Sequence, residues 1–181
     1  MCAERPQLVE VADAVQAWWD NGKTGDVMNV SMPTRFGKSL LATSFTVWLF
    51  LRDQRTRVLR ASYASELAET FGVQVKDQYL KFFERNGQRI PDVEGTRSRW
   101  SIDGQKQPNH AGVGIGGGIT GFGFDIAIVD DTAKNMLEAT SAAYSRQLQT
   151  FKESVLLGRL EGRRKILNVG TRWTVNDWFS M

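Results

Sequence analysis

Lys38 and Ser39 follow Gly37 directly in the stretch Val27 to Leu40, VMNVSMPTRFGKSL, and these residue types at this spacing suit the cradling of a phosphate. A glycine lets successive backbone N–H groups close on one anion, a lysine ammonium reaches the outer phosphates as a point charge, and a serine hydroxyl can ligate Mg²⁺. The full pattern of such a loop, G-x-x-x-x-G-K-[ST], opens on a glycine, and here Met32 holds that place. Much further along, Phe124 to Asp131, FDIAIVDD, is an apolar run that closes on two adjacent carboxylates. Neighbouring strand residues face opposite sides, so one acid can hold a metal through water while the other faces a nucleophile. By itself an Asp-Asp pair after a strand reads as a capped turn. With a glycine-lysine-serine loop upstream it reads as the acidic half of a phosphoryl-transfer site.

Chemistry of this kind needs strands that end where helices begin. The residues before Gly37 read as a short apolar strand and a turn, and Leu40, Leu41, Phe45, Trp48, Leu49 and Leu51 form an almost all-round apolar helix of the kind buried against a sheet. Pro6 with Leu8, Val11, Val15 and Trp18 predicts an amphipathic leading helix over residues 6–21, stopped by Asn21 and Gly22, with the Trp18-Trp19 pair used in packing. Val58 to Tyr63 reads as a second strand; Arg52, Arg55, Arg57 and Arg60 gather there as a solvated rim. From Ala64 to about Glu84, Leu67, Phe71, Val75, Tyr79 and Phe82 keep helical spacing, and Asn86 with Gly87 supplies the stop. Gly95 to Gly104 alternates as a strand or hairpin. The glycine-rich run Gly112 to Gly123 predicts a thin strand and a mobile loop, because so many glycines form an ordinary central strand only at a cost. Thr140 or Ser141 caps a helix carrying Tyr144, Leu148, Phe151 and Val155; a basic loop from Gly158 to Lys165 then leads into a strand from Ile166 to Gly170. Strands alternating with helices in this way predict an α/β fold with a mostly parallel central sheet flanked by helices.

The chain has 181 residues, 41% of them hydrophobic, enough for one well-cored domain spanning 1–181. A net charge of +3 is too small to argue for a nucleic-acid partner. One cysteine, Cys2, makes no internal disulfide, and one histidine, His110, leaves no Cys/His set for zinc; a reducing compartment is expected. The first thirty residues carry Glu4, Glu10 and Asp13 without a continuous apolar core, and no run approaches the roughly 20 residues that span a bilayer, so neither a signal peptide nor a membrane partner is expected.

Together three segments resemble the ATPase domain of the large terminase subunit of tailed bacteriophages, the motor that packages DNA into procapsids. They are MPTRFGKS, GGGITGFGFDIAIVDD, and GTRW at Gly170 to Trp173 followed by Asn176 and Asp177. The resemblance implies a P-loop NTPase of the additional-strand type that uses ATP and Mg²⁺. Residues Pro33, Thr34, Arg35, Phe36, Gly37, Lys38, Ser39 and Leu40 would form the nucleotide loop, with Arg35 touching the γ-phosphate and Ser39 and Asp130 serving the metal. Asp131 would activate the attacking water, Thr171 would couple hydrolysis to motion, and Gln7 would sit near adenine. The implied partners are double-stranded DNA, the portal protein of the procapsid and the small terminase subunit. A homo-oligomeric ring is implied on docking, with a monomer alone left open, and the implied location is the host cytoplasm. A further arginine from a neighbouring subunit is expected in such a ring, and Arg97, Arg99, Arg146 and Arg159 are its candidates.

The chain departs from the family in having Met32 for the leading glycine and Asp131 where glutamate is common, so Glu138 stands as a second candidate base. It also stops short of the family's C-terminal nuclease, and no DNA cleavage is expected of it. Two other readings stay open: a helicase-like or partner-switching P-loop ATPase, which would lack GTRW, and a nucleotide-binding module without turnover.

Overall fold

The computed structural model describes residues 6–174 and 177–180; Cys2, Glu4 and Asn176 lie outside them. The leading helix α1 runs Pro6–Asn21, and β1, Val27–Ser31, enters the glycine-lysine-serine loop, from which α2, Lys38–Arg52, departs. There follow β2 (Val58–Ser62), α3 (Ser65–Arg85), the hairpin strands β3 (Val93–Gly95) and β4 (Arg99–Ile102), β5 (His110–Gly114) and β6 (Phe124–Asp130). The chain continues through α4 (Met136–Ala139), α5 (Ala142–Thr150), a π-helical turn Phe151–Leu156, β7 (Leu160–Gly170) and a short 3₁₀ turn Trp178–Ser180. The strands form one seven-stranded sheet in the order β1-β7-β6-β2-β5-β4-β3. The five from β1 to β5 in that order are parallel, and β4 and β3 add antiparallel.

Both faces of the sheet are covered, as expected of mostly parallel strands. On one face Val15 and Trp19 of α1, Leu41, Phe45, Leu49 and Phe50 of α2, and Val75 and Tyr79 of α3 pack on Val30, Val58, Ile126, Ile128, Leu167 and Val169. On the other, Tyr144, Leu148, Phe151, Leu156 and Trp178 cover Leu59, Ala61, Val113, Ala127, Val129 and Ile166. Each fully buried Val, Leu, Ile or Phe among them contributes roughly 1.5–3 kcal/mol against the entropy of ordering the chain. Trp19 is a packing residue, edge-on to Phe45 at 6.3 Å between ring centres. The π turn adds a residue to the helical register, so Leu156 is buried in the core while Val155 is only half-buried.

The thin strand expected in the glycine run is β5, and it lies inside the sheet between β2 and β4. A Cβ at Gly112 would stand 2.9 Å from the Ala68 carbonyl oxygen and one at Gly114 2.7 Å from the Ser65 nitrogen, so the missing side chains are what let α3 lie on the sheet. The basic segment after Gly158 is not a loop outside the sheet but the beginning of β7, paired at Leu160 with Phe124. Within it Lys165 is buried, donating to the Trp18 carbonyl at 2.6 Å, while Arg163 donates to the Trp19 carbonyl at 2.6 Å. These two cations close the C-terminal end of α1, where the helix dipole is negative, the Trp18 carbonyl also accepting from the Gly22 N–H. Finally, Arg60 is not on a solvated rim. It is wholly buried on the face covered by α3, because strand alternation turns it the way of Val58 and opposite to Leu59 and Ala61.

Candidate phosphoryl-transfer site

The polar residues singled out from the sequence gather where β1, β6 and β7 end. Strand β7 lies between the other two, so its exit is flanked on one side by the loop leaving β1 and on the other by the acids ending β6. The loop is fastened to β7 by the Met32 N–H donating to the Gly170 carbonyl at 3.0 Å, and the acid pair by the Asp131 N–H donating to the Val169 carbonyl at 3.0 Å. Gly37 adopts φ 88° before α2 without a side-chain cap, leaving the first N–H groups of that helix free for an anion.

Lys38, 5% exposed, turns back over the loop: its ammonium donates to the Pro33 carbonyl and to the Thr171 hydroxyl, each at 3.0 Å. The Thr171 hydroxyl donates in turn to the Met32 carbonyl at 3.3 Å, and the Thr171 N–H donates to Asp131 Oδ1 at 3.2 Å. Thr171 is thus the joint between the glycine-lysine-serine loop and the acid. Burial, and then the charge of Asp130, push the Asp131 carboxyl above its ordinary value, with the Lys38 ammonium opposing them. A carboxylate in that condition takes up a proton more readily than a surface aspartate. Asp131 at φ 43° and Arg35 at φ 66° are both non-glycine residues in the left-handed region, a conformation that concentrates at working sites.

Asp130 faces the α2–α3 side of the sheet and is fully buried, held by Arg60 Nη2 to Oδ2 at 2.5 Å. Its Oδ1 has no hydrogen-bond partner, and neither have Arg60 Nε and Nη1. His110, wholly buried and stacked on Trp100 with ring centres 5.2 Å apart, is pushed down to about 3 by burial and then by the Arg60 charge, and is neutral at neutral pH. Among the described residues no group of three or more His, Cys, Asp or Glu could hold a metal by itself. A cation here would rest on few protein ligands and complete its shell with phosphates and water, the usual manner of Mg²⁺. The partnerless buried oxygen of Asp130 and the half-buried Ser39 at the start of α2 fit that manner.

The remaining predicted residues are placed differently. Thr34, Arg35 and Phe36 are exposed along the loop, with Leu40 half-buried in the first turn of α2. Gln7 is exposed on the first turn of α1. Glu138 is occupied elsewhere: its carboxylate accepts from the Lys134 N–H at 2.6 Å, while its own N–H donates to Asn135 Oδ1 at 3.0 Å, the bond by which Asn135 caps α4. Arg97, Arg99 and Arg146 are exposed, Arg99 lying over the Phe122 ring at 4.8 Å, and Arg159 is half-buried. After Trp173 the chain folds back under a buried cap, the Asp177 carboxylate accepting from the N–H groups of Trp173, Thr174 and Phe179. Sequence reasoning missed Arg60; one charge inside the apolar pattern of a strand, VLRAS, was the signal available for it.

No protein-family model matches the chain. It is similar to the terminase large subunit of Enterobacteria phage T3, 29% identical over 146 residues that cover 76% of this chain and 24% of the relative. The resemblance carried by the three motifs is borne out by that relative, of whose length this chain spans about a quarter.

Proposed function

We propose, from this likeness to a terminase large subunit, that the chain is a Mg²⁺-dependent ATPase unit of a viral DNA-packaging motor, built as a P-loop fold of the additional-strand type. The observation that carries the proposal is the convergence of Lys38, Thr171 and Asp131 from three separate chain segments onto one set of hydrogen bonds. The position of β7 between the loop strand and the acid strand supports the additional-strand architecture.

Pro33 to Leu40 cradle the triphosphate through backbone N–H groups and the α2 N-terminus, and Lys38 leaves the Pro33 carbonyl to meet the outer phosphates. Arg35 lies on the same loop for the γ-phosphate, and Gln7 is assigned to the adenine end. Ser39 and Asp130 hold the hydrated cation, which when bound supplies positive charge to the phosphate oxygens as the transferred group separates. Asp131, with its raised affinity for a proton, orients and deprotonates the attacking water, and is preferred to Glu138 because the carboxylate of the latter is already bound to the Lys134 N–H. Thr171 touches both Lys38 and Asp131, so a change at the phosphates is passed to β7. Double-stranded DNA, the portal protein and the small terminase subunit are the proposed partners. A ring of copies in the host cytoplasm is the proposed working form; no helix among the described residues is long and apolar enough to cross a membrane.

Steady-state ATP hydrolysis by the chain, with and without double-stranded DNA and beside Lys38→Ala, tests this. Turnover that Lys38→Ala abolishes supports the proposal; equal phosphate release from the two overturns it. Nucleotide binding without any turnover points instead to a binding module.

A further inference from the structure

Strand β2 contributes a buried arginine directly behind the acid pair. The register sets Arg60 beside Ile128, and Asp130 lies two residues further along β6 on the same face, so the guanidinium reaches diagonally along the neighbouring strand to the carboxylate. Phe71 of α3 covers the guanidinium at 4.4 Å from the ring centre, and buried His110 is near enough for the Arg60 charge to add to burial in holding it neutral. The pair is poorly satisfied for its burial: Arg60 Nε, Arg60 Nη1 and Asp130 Oδ1 have no partners. Fold stability is a weak reason for such an arrangement, since apolar residues of similar volume commonly stabilise a site as well as or better than a buried ion pair. What the pair does achieve is asymmetry. One carboxylate oxygen of Asp130 is tied down at 2.5 Å, and the other is left without a donor.

We infer that Arg60 is a positioning residue for the metal: it anchors Asp130 through Oδ2 so that Oδ1 remains to accept from a water of the hydrated cation. This rests on the proposed Mg²⁺-nucleotide site. An acid free to turn would divide its time between rotamers, and the guanidinium removes that freedom before the cation arrives. Arg60 touches neither nucleotide nor metal and acts through Asp130. Outer partners of metal ligands act in this way, and their removal lowers metal affinity by about 10–100-fold.

The test is Mn²⁺ binding to the whole chain in the presence of ADP, followed by the paramagnetic resonance of the free ion. Arg60→Gln should weaken Mn²⁺ by about 10–100-fold, with ADP affinity in chelator kept within about threefold. Arg60→Lys, which retains a cation but not the planar fork, should recover part of the loss. In an Asp130→Asn background Arg60→Gln should add nothing, because its only route to the metal is gone. Unchanged or tighter Mn²⁺ binding in folded Arg60→Gln overturns the inference, as does a full additional loss in the double variant. Should Arg60→Gln fail to fold by near-ultraviolet circular dichroism, wild-type Mn²⁺ affinity in Arg60→Lys overturns it equally. The two levels of the proposal separate in the Asp130→Asn control. If that substitution leaves Mn²⁺ binding intact, the metal-nucleotide site itself falls and Arg60 with it; if it weakens Mn²⁺ while Arg60→Gln does not, the role of Arg60 alone falls.

Discussion

Two arginine–aspartate pairs join the same neighbouring segments at opposite ends of the sheet. Near the amino end, Arg57, just before β2, donates through N, Nε and Nη2 to Asp125, while its Nη1 reaches Gln107 and Glu161. Near the carboxyl end, Arg60 makes one bond to Asp130, and three polar atoms of that pair have no partner. The first pair keeps some contact with water, each side chain being about one-fifth exposed, and the second has none. A saturated network rigidifies a structure, whereas an under-satisfied buried one forgoes stability at the place where ligands bind in open α/β sheets. The amino end is the better satisfied of the two, and the carboxyl end is where the proposed site lies.

Breaking the carboxyl end should cost activity far more than stability. The largest effect is expected for Lys38→Ala, with ATP turnover falling by about 10³-fold or more, since a preorganised charge at the phosphates is lost. Its melting temperature should stay close to wild type because the removed contacts are two hydrogen bonds at the loop. Initial-rate phosphate release alongside thermal melting checks both, and a fall in melting temperature large enough to unfold the protein would remove the contrast.

Asp131→Asn is expected next, lowering turnover by roughly 10²-fold or more while nucleotide binding survives. It should also raise stability at neutral pH. The folded carboxyl sits above its ordinary value of 3.8, so its contribution to stability is fully present below that value and is lost as pH rises through the raised one. Asparagine does not ionise, so the variant should melt higher than wild type at neutral pH and the two should converge under acid. Melting curves across that range decide the point; a variant that melts lower at neutral pH would mean that Asp131 is held for the fold.

Asp125→Ala tests the opposite end. It strips three donor groups of Arg57 of their shared acceptor and should cost about 1.5–3 kcal/mol of stability, with turnover changed by no more than about twofold. Denaturant unfolding and a rate assay at matched folded fraction measure it. The smallest effect is expected for Glu138→Ala: about 0.5 kcal/mol from the lost bond to the Lys134 N–H, the Asn135 cap on α4 being retained, and turnover within about threefold. A hundredfold loss there, with Asp131→Asn active, would transfer the role of base to Glu138.

Local chemistry accounts for much of this molecule. Gly37, Lys38 and Ser39 and the two acids that close FDIAIVDD could be named from residue type and neighbours alone, as could α1, α2 and α3 from their periodicity, whereas Thr171 is named only through the resemblance of GTRW. Turn glycines and apolar spacing act over a few residues, and that is the range over which a sequence speaks for itself. Strand order, register and facing are settled between residues far apart in the chain. They made β5 an interior strand because α3 needs bare backbone beneath it, drew Lys165 inward to close α1, and moved Arg60 from an expected rim to the back of Asp130. Arg57 and Arg60 stand three positions apart in one basic stretch, yet one is partly solvated and the other sealed. What each does follows from which helix covers its face and which acid the neighbouring strand brings beside it, and both are properties of the packed sheet.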